Sequence, residues 1–203
     1  MSLYSIVDLE TTGFNKIQDR ALSISALTFN QKLEVVNAQN YFICDCKRAC
    51  PEDALAVHKL SNEFLSETGV PLVQAVDALY PLLQRSNFVA HSVDFDSVIL
   101  QMEFERCGYN LMFNNKVCTM ISTKSVCQLP HAKGGYKNPK LSEMCEHFGI
   151  SAELTAARTK KYFGDIPTPD GAVFHLSAFD VTAVFCCLLG GGWPIVQRYY
   201  ELN

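Results

Sequence analysis

Ile6-Val7-Asp8-Leu9-Glu10-Thr11-Thr12-Gly13 is the run that orders the rest of the chain. Apolar residues carry a strand up to Asp8, and Glu10 follows two positions later. Side chains alternate along a strand, so positions i and i+2 share a face. The two carboxylates therefore project together where a buried strand ends. Like charges held that close repel and resist ionisation, so the arrangement calls for a cation between them. The competing reading is a surface pair of solvated acids, and the apolar run before Asp8 argues against it.

Two later segments supply further acids. Phe88-Val89-Ala90-His91 reads as a short buried strand, after which Ser92-Val93-Asp94-Phe95-Asp96 opens a helix. Nearer the C-terminus, Phe174-His175-Leu176-Ser177-Ala178-Phe179-Asp180 opens another. Asp8, Glu10, Asp96 and Asp180 form a set of hard oxygen donors that suits Mg²⁺ or Mn²⁺ rather than zinc. Two such ions about 4 Å apart can clamp the attacking and leaving oxygens of a phosphodiester. His175 adds a base able to take a proton near neutrality. Five positions are roughly 140° of helix rotation, so His175 and Asp180 cannot share a helix face. His175 is better placed on the loop before the helix. Taken alone, Ser177-x-x-Asp180 also fits a helix capping box.

The ordered set Asp-x-Glu-Thr-Thr-Gly, His-Ser-x-x-Phe-Asp and His-x-x-x-x-Asp resembles the DEDDh (DnaQ-like) 3′–5′ exonucleases, from about Leu3 to Leu189. Ala54-Leu55-Ala56-Val57-His58-Lys59-Leu60 and Val117-Cys118-Thr119-Met120 are similar to further segments of that family. The resemblance implies an α/β fold, a ribonuclease H-like mixed five-stranded sheet flanked by helices with strand one central. It implies a single exonuclease domain over residues 1–203. Asp8 would bridge two Mg²⁺ or Mn²⁺ ions, Glu10, Asp96 and Asp180 would complete the ligands, and His175 would take the proton from the attacking water. The implied reaction releases nucleoside 5′-monophosphates from single-stranded DNA 3′ ends. The family acid directly follows Phe, which selects Asp96; Asp94 suits the helix N-terminal dipole.

The resemblance also implies that Thr11, Thr12, Gly13 and Phe14 hold the terminal nucleotide, with Phe14 stacking on a base. His58 corresponds to a second substrate-facing histidine, and Ser92 stands where the family commonly has Asn. An ordinary turn at Thr-Thr-Gly and a purely structural His58 are the plainer readings. Every one of these residues would serve an exoribonuclease equally, because the 2′-hydroxyl contact that separates RNA from DNA has no sequence signature here. A reading from another class is a polymerase-associated proofreading or binding module. The complete acid set and the short segment after Trp193 favour a freestanding enzyme, with a homodimer as one option.

Bulk properties agree in part. The 203 residues suffice for one well-buried core, with 48% hydrophobic and 19% charged content. No uninterrupted apolar run of membrane-spanning length and no secretory leader is evident, so no membrane and a cytoplasmic location are expected. A net charge of −4 sits oddly with a nucleic-acid partner. Setting the four site acids aside from the 21 leaves a number equal to the 17 Lys and Arg. That balance predicts a modest footprint on substrate. Arg158, Lys160 and Lys161 could touch phosphate or simply sit on a solvated loop. The nine Cys read as reduced small hydrophobes. Cys44, Cys46, Cys50 and His58 admit a zinc reading, although their spacing matches no common finger.

The chain order predicts strands at 2–9, 20–29 and 33–43 as an antiparallel meander. A short helix follows Pro51, Ser61 caps another, and a longer helix opened by Pro71 carries the stripe Leu72, Val76, Leu79, Leu83. Strand four is placed at 87–91 with a helix to about Cys107, and strand five near 116–119. A Lys- and Gly-containing loop at 131–139 leads to a helix closed by Gly149. Residues 151–173 read as irregular, and helices at 176–189 and 193–202 flank Gly190-Gly191-Gly192.

Overall fold

β1 (Leu3–Thr11) occupies the centre of a five-stranded sheet ordered β3-β2-β1-β4-β5 in the computed structural model, which describes residues 2–48, 50–169 and 176–202. β2 (Ala21–Asn30) and β3 (Val35–Phe42) continue from β1 as the expected antiparallel meander. β4 (Ser86–Ala90) and β5 (Lys116–Cys118) run parallel to β1 on its other side. Parallel neighbours need long crossovers. α1 (Glu52–His58), α2 (Asn62–Thr68) and α3 (Leu72–Leu83) lead into β4, and α4 (Val93–Arg106) joins β4 to β5. Ser61 caps α2 as its sequence suggests, accepting from the Phe64 amide at 3.2 Å. The α3 stripe is fully buried.

Alternation along β1 divides the core into two layers. Val7 and Leu9 pack with Val76, Leu79, Ile99 and Phe104 of α3 and α4. Tyr4 and Ile6 point the other way, against Val181, Phe185 and Trp193. Asp8 and Glu10 continue the Tyr4–Ile6 row, so they face the layer that carries Asp180. This is how a period-two pattern at the start of the chain selects its partner near the end.

Two helices depart from the sequence reading. α5 (Thr119–Cys127) follows β5 directly, where only a strand exit and loop were expected. α7 (Ala152–Phe163) replaces the irregular stretch assigned to 151–173. Ser151 caps it by accepting from the Leu154 amide, and no Gly or Pro intervenes before Gly164. The Pro and Gly that suggested irregularity all lie beyond its end. α6 (Leu141–His147) falls as predicted. α8 (Ser177–Cys187) and α9 (Trp193–Tyr199) are joined by one wide turn over Leu188–Gly192, with Gly191 at φ +113°. The merged run Ser177–Tyr199 has the length and mean hydropathy (1.6) of a membrane span, and 61% of its apolar window is buried in the protein. α8 contacts β1 and β2 directly, which accounts for its apolar character.

Candidate active site

The acids converge. Asp8, Glu10 and Asp180 offer oxygens that all lie within 4.8 Å of one another. Local packing explains how α8 reaches them. Asp8 and Glu10 pair across the ladder with Ser25 and Ser23, so all four side chains share one face. The Ser177 hydroxyl lies 2.8 Å from both Ser23 and Ser25. It docks the first turn of α8 on the sheet, one turn before Asp180. Ser177 thus has a role other than capping: Leu176 is the N-cap residue, and no side chain caps this helix.

Asp96 enters from the end of β4. It is 4% exposed, in the first turn of α4, and its carboxylate accepts from its own amide and that of Ser92. Asp94 is exposed, in keeping with the choice of Asp96. Burial first, and then the charges of Asp180, Asp96 and Glu10, push the Asp8 carboxyl well above its ordinary range. Burial and the charges of Asp180 and Asp96 raise Glu10 to about 8. Asp96 rises to about 7 through burial, against the pull of its backbone donors, and Asp180 to about 7 through burial. Among the described residues no Lys or Arg pairs with any of the four. An all-oxygen cluster with no internal countercharge fits hard divalent cations.

These raised values carry a stability consequence. In the metal-free folded protein, Glu10, Asp96 and Asp180 keep protons up to about pH 7–8 that the unfolded chain releases near pH 4. The folded state then binds more protons across that window, so stability falls as pH rises through it. Melting curves in EDTA should therefore drop between about pH 5 and 8. Millimolar Mg²⁺ or Mn²⁺ should restore the loss at the upper end and do little at the lower. Equal metal stabilisation at both ends would contradict this electrostatic account.

The loop after β1 is held from within. Asp19 accepts from the Thr12 hydroxyl (2.9 Å) and the Asn15 amide (2.7 Å), and pairs with Arg48 at 2.7 Å. A Cβ on Gly13 would stand 2.6 Å from an Asp19 oxygen, so a side chain here would push the Asp19 carboxylate off its partners. Thr12 is fully buried, and its hydroxyl also accepts from the Arg20 amide. Thr11 donates to the Gly13 carbonyl at 2.7 Å. The Thr12 hydroxyl is thus engaged in support of the loop. Phe14 is 89% exposed and tilts over Phe95, with centroids 6.0 Å apart. The two rings stand on the loop after β1 and in the first turn of α4.

His58 is 2% exposed, and its Nδ1 accepts from the Leu60 amide at 3.0 Å. It also bonds the Thr11 backbone, and burial lowers its pKa. An enclosed ring with these partners ties the end of β1 to the end of α1. Ser92 is half-buried at the N-cap of α4, and its side chain makes no capping hydrogen bond. His175, named from sequence as the base, lies outside the described residues; α8 begins two positions after it. Cys50 Sγ comes within 3.5 Å of His58 Nε2, yet Cys44 is exposed and no Cys–His metal cluster forms among the described residues. The basic trio is dispersed on α7: Arg158 donates to the Cys186 sulfur and Lys160 pairs with Asp165. A cavity of about 560 Å³ opens beside Asp180, walled by Cys145, Ile150, Thr155, Phe179 and Ala183.

Asp19, Phe95 and the three-serine cluster were not singled out from sequence. The serines pair only through register and α8 docking, which no local pattern encodes. Phe95 was legible in hindsight as the aromatic neighbour of Asp96.

Residues 5–153 match the family model described as exonuclease, RNase T type. The chain belongs to this exonuclease family. It is 27% identical over 167 residues to the 3′-5′ exonuclease DinG of Staphylococcus aureus (strain bovine RF122 / ET3-1), and likewise to that of strain MRSA252. Each alignment takes 79% of this chain and 18% of the relative. The fold resembles E. coli Exonuclease I in complex with a dA16 oligonucleotide (TM-score 0.71, 13% identity, 98% of this chain and 43% of that one). It also resembles Exonuclease I from Methylocaldum szegediense (TM-score 0.71, 11% identity, 99% and 43%). The chain thus spans about a fifth of the curated relatives and less than half of these solved chains.

Proposed function

We propose that the chain is a single exonuclease domain that removes nucleotides from the 3′ ends of single-stranded DNA. Asp8, Glu10, Asp96 and Asp180 hold two Mg²⁺ or Mn²⁺ ions, and His175 is the general base. The observation that carries this reading is the convergence of acids from β1, α4 and α8 with no internal countercharge. Bound divalent cations would supply charge neutralisation and polarisation of the phosphodiester.

The chain's own residues do the rest. His175 takes the proton of the attacking water, as a base titrating near neutrality can. Phe14 and Phe95 take the face of a base, a sequence-tolerant contact. The Asp19-braced loop fixes Phe14 relative to Glu10. The Ser92 hydroxyl adds a further contact to substrate. All of these contacts also suit RNA, and none of them reads a 2′-hydroxyl.

The test is degradation of matched 5′-labelled DNA and RNA oligomers with Mg²⁺, Mn²⁺ or EDTA, with Asp8→Ala as control. Ladders shortening from the 3′ end, lost in EDTA and in the variant, are expected, with DNA the faster substrate. Oligomers bound but never shortened would support a binding module instead. His175→Ala should lower kcat by about 10²- to 10⁴-fold. Stabilisation by Mg²⁺ in thermal melts should remain in that variant, because His175 is not a ligand. Loss of both would place the residue among the ligands.

A further inference from the structure

We propose that the groove between α5, the 131–138 loop and Tyr199 binds the single strand 5′ to the end being hydrolysed. This rests on the exonuclease reading above. The groove encloses about 690 Å³, and its walls include Ile121, Lys124, Gly134, Gly135, Tyr136 and Tyr199. Tyr136 and Tyr199 are 44% and 53% exposed. Exposed aromatic faces on a groove wall are surfaces on which bases can stack.

Charge selects the occupant. The chain carries a net −4, yet no Asp or Glu lines this groove. Lys124 stands in its wall and Lys133 is exposed beside Gly134; among the described residues neither is paired with an acid. Lys137 is taken by Glu143. Gly134 and Gly135 have φ of +88° and +72°, with open space where a Cβ would stand, so the backbone here leaves room for a close-lying chain. Aromatic faces interleaved with unpaired lysines are the chemistry of single-stranded nucleic acid binding: stacking on any base, with phosphates neutralised between.

Both walls are pinned to the active-site edge of the sheet. His91, which follows β4 and precedes Ser92, donates from Nε2 to the Pro139 carbonyl at 3.0 Å, and its Nδ1 lies 3.1 Å from Thr119 Oγ1. That fixes the end of the loop and the start of α5. On the other side the Cys118 amide donates to the Tyr200 hydroxyl at 2.9 Å, which fixes Tyr199 beside the end of β5. A strand held at the acids and running along this edge would reach the groove.

The experiment compares wild type with Tyr136→Ala/Tyr199→Ala and with Lys124→Glu. Anisotropy of a labelled oligo-dT of about fifteen nucleotides is read in EDTA, alongside hydrolysis of that oligomer and of a dinucleotide. Both variants should bind the oligomer about tenfold more weakly. KM on it should rise in step, while kcat and dinucleotide hydrolysis stay at wild-type values. Lys124→Glu should also flatten the salt dependence of binding. Undiminished oligomer binding, or an equal loss on the dinucleotide, would overturn the proposal. If wild type hydrolyses neither substrate, the exonuclease reading fails while the binding arm still decides the groove.

Discussion

Asp180→Asn should abolish 3′-end hydrolysis and, in the same protein, raise the melting temperature of the metal-free form at about pH 8. The two effects have one cause. Asp180 lies within 4.8 Å of Asp8 and Glu10 and is pushed up to about 7 by burial. At pH 8 it is ionised against its surroundings, and its charge raises both β1 acids as well. An amide of the same shape removes that repulsion, and a gain of about 5 °C is expected for a chain of this length. If Asp180 holds a cation as proposed, the same change also deletes that ligand, and activity should fall by at least about 10³-fold, on the scale seen when a principal electrostatic element of a site is removed. Differential scanning in EDTA and the labelled-oligomer assay read the two arms. A variant that is inactive and also less stable at pH 8 would contradict the claim that these acids are held at a cost in the fold.

Glu103→Ala should have the opposite profile: a large loss of stability. Glu103 is fully buried on α4 and receives Arg20 through Nε and Nη2 (2.9 and 3.0 Å), the Ala21 amide (2.9 Å) and Arg106 (3.1 Å). Removing the carboxylate leaves two guanidinium groups and a buried amide without their acceptor. Breaking a buried network on one side costs about 3–5 kcal/mol. For a chain of this size that corresponds to a fall of about 10 °C in Tm. Glu103→Gln should recover only part, because one amide oxygen replaces a bidentate acceptor. The network fastens α4, and with it Asp96, to the start of β2. Activity of the variant measured well below its Tm should therefore fall less than its stability. A melting temperature unchanged by Glu103→Ala would show that solvent readily replaces the carboxylate.

What could be read from the sequence is unequal across the molecule. Strand one and its two acids were legible because period-two alternation is written in adjacent residues. The helix from Pro71 was legible because its stripe repeats over three turns. The gathering of Asp96 and Asp180 around Asp8 came from the order of motifs, since no local pattern states which helix packs on which face. α7 escaped because its inward positions over three turns are Ala152, Thr155, Ala156 and Thr159, a weak stripe with Tyr162 and Phe163 only at its end, and the Pro and Gly downstream drew the whole segment toward irregularity. The burial of His58 and Thr12 was not legible, because a histidine and a threonine look alike in sequence whether they meet water or the interior. Asp19, the carboxylate that holds Thr12, lies just ahead of β2 and declares itself only once the loop has folded over it; the His58 ring is held instead by the Leu60 amide and the Thr11 backbone.

Anomalous diffraction from crystals grown with Mn²⁺ tests the central claim most directly. Two peaks should appear among Asp8, Glu10, Asp96 and Asp180, with Asp8 touching both and carboxylate oxygens at about 2.0–2.5 Å. Manganese absent from these acids in well-diffracting crystals, with the carboxylates facing one another and no ion between them, would contradict it.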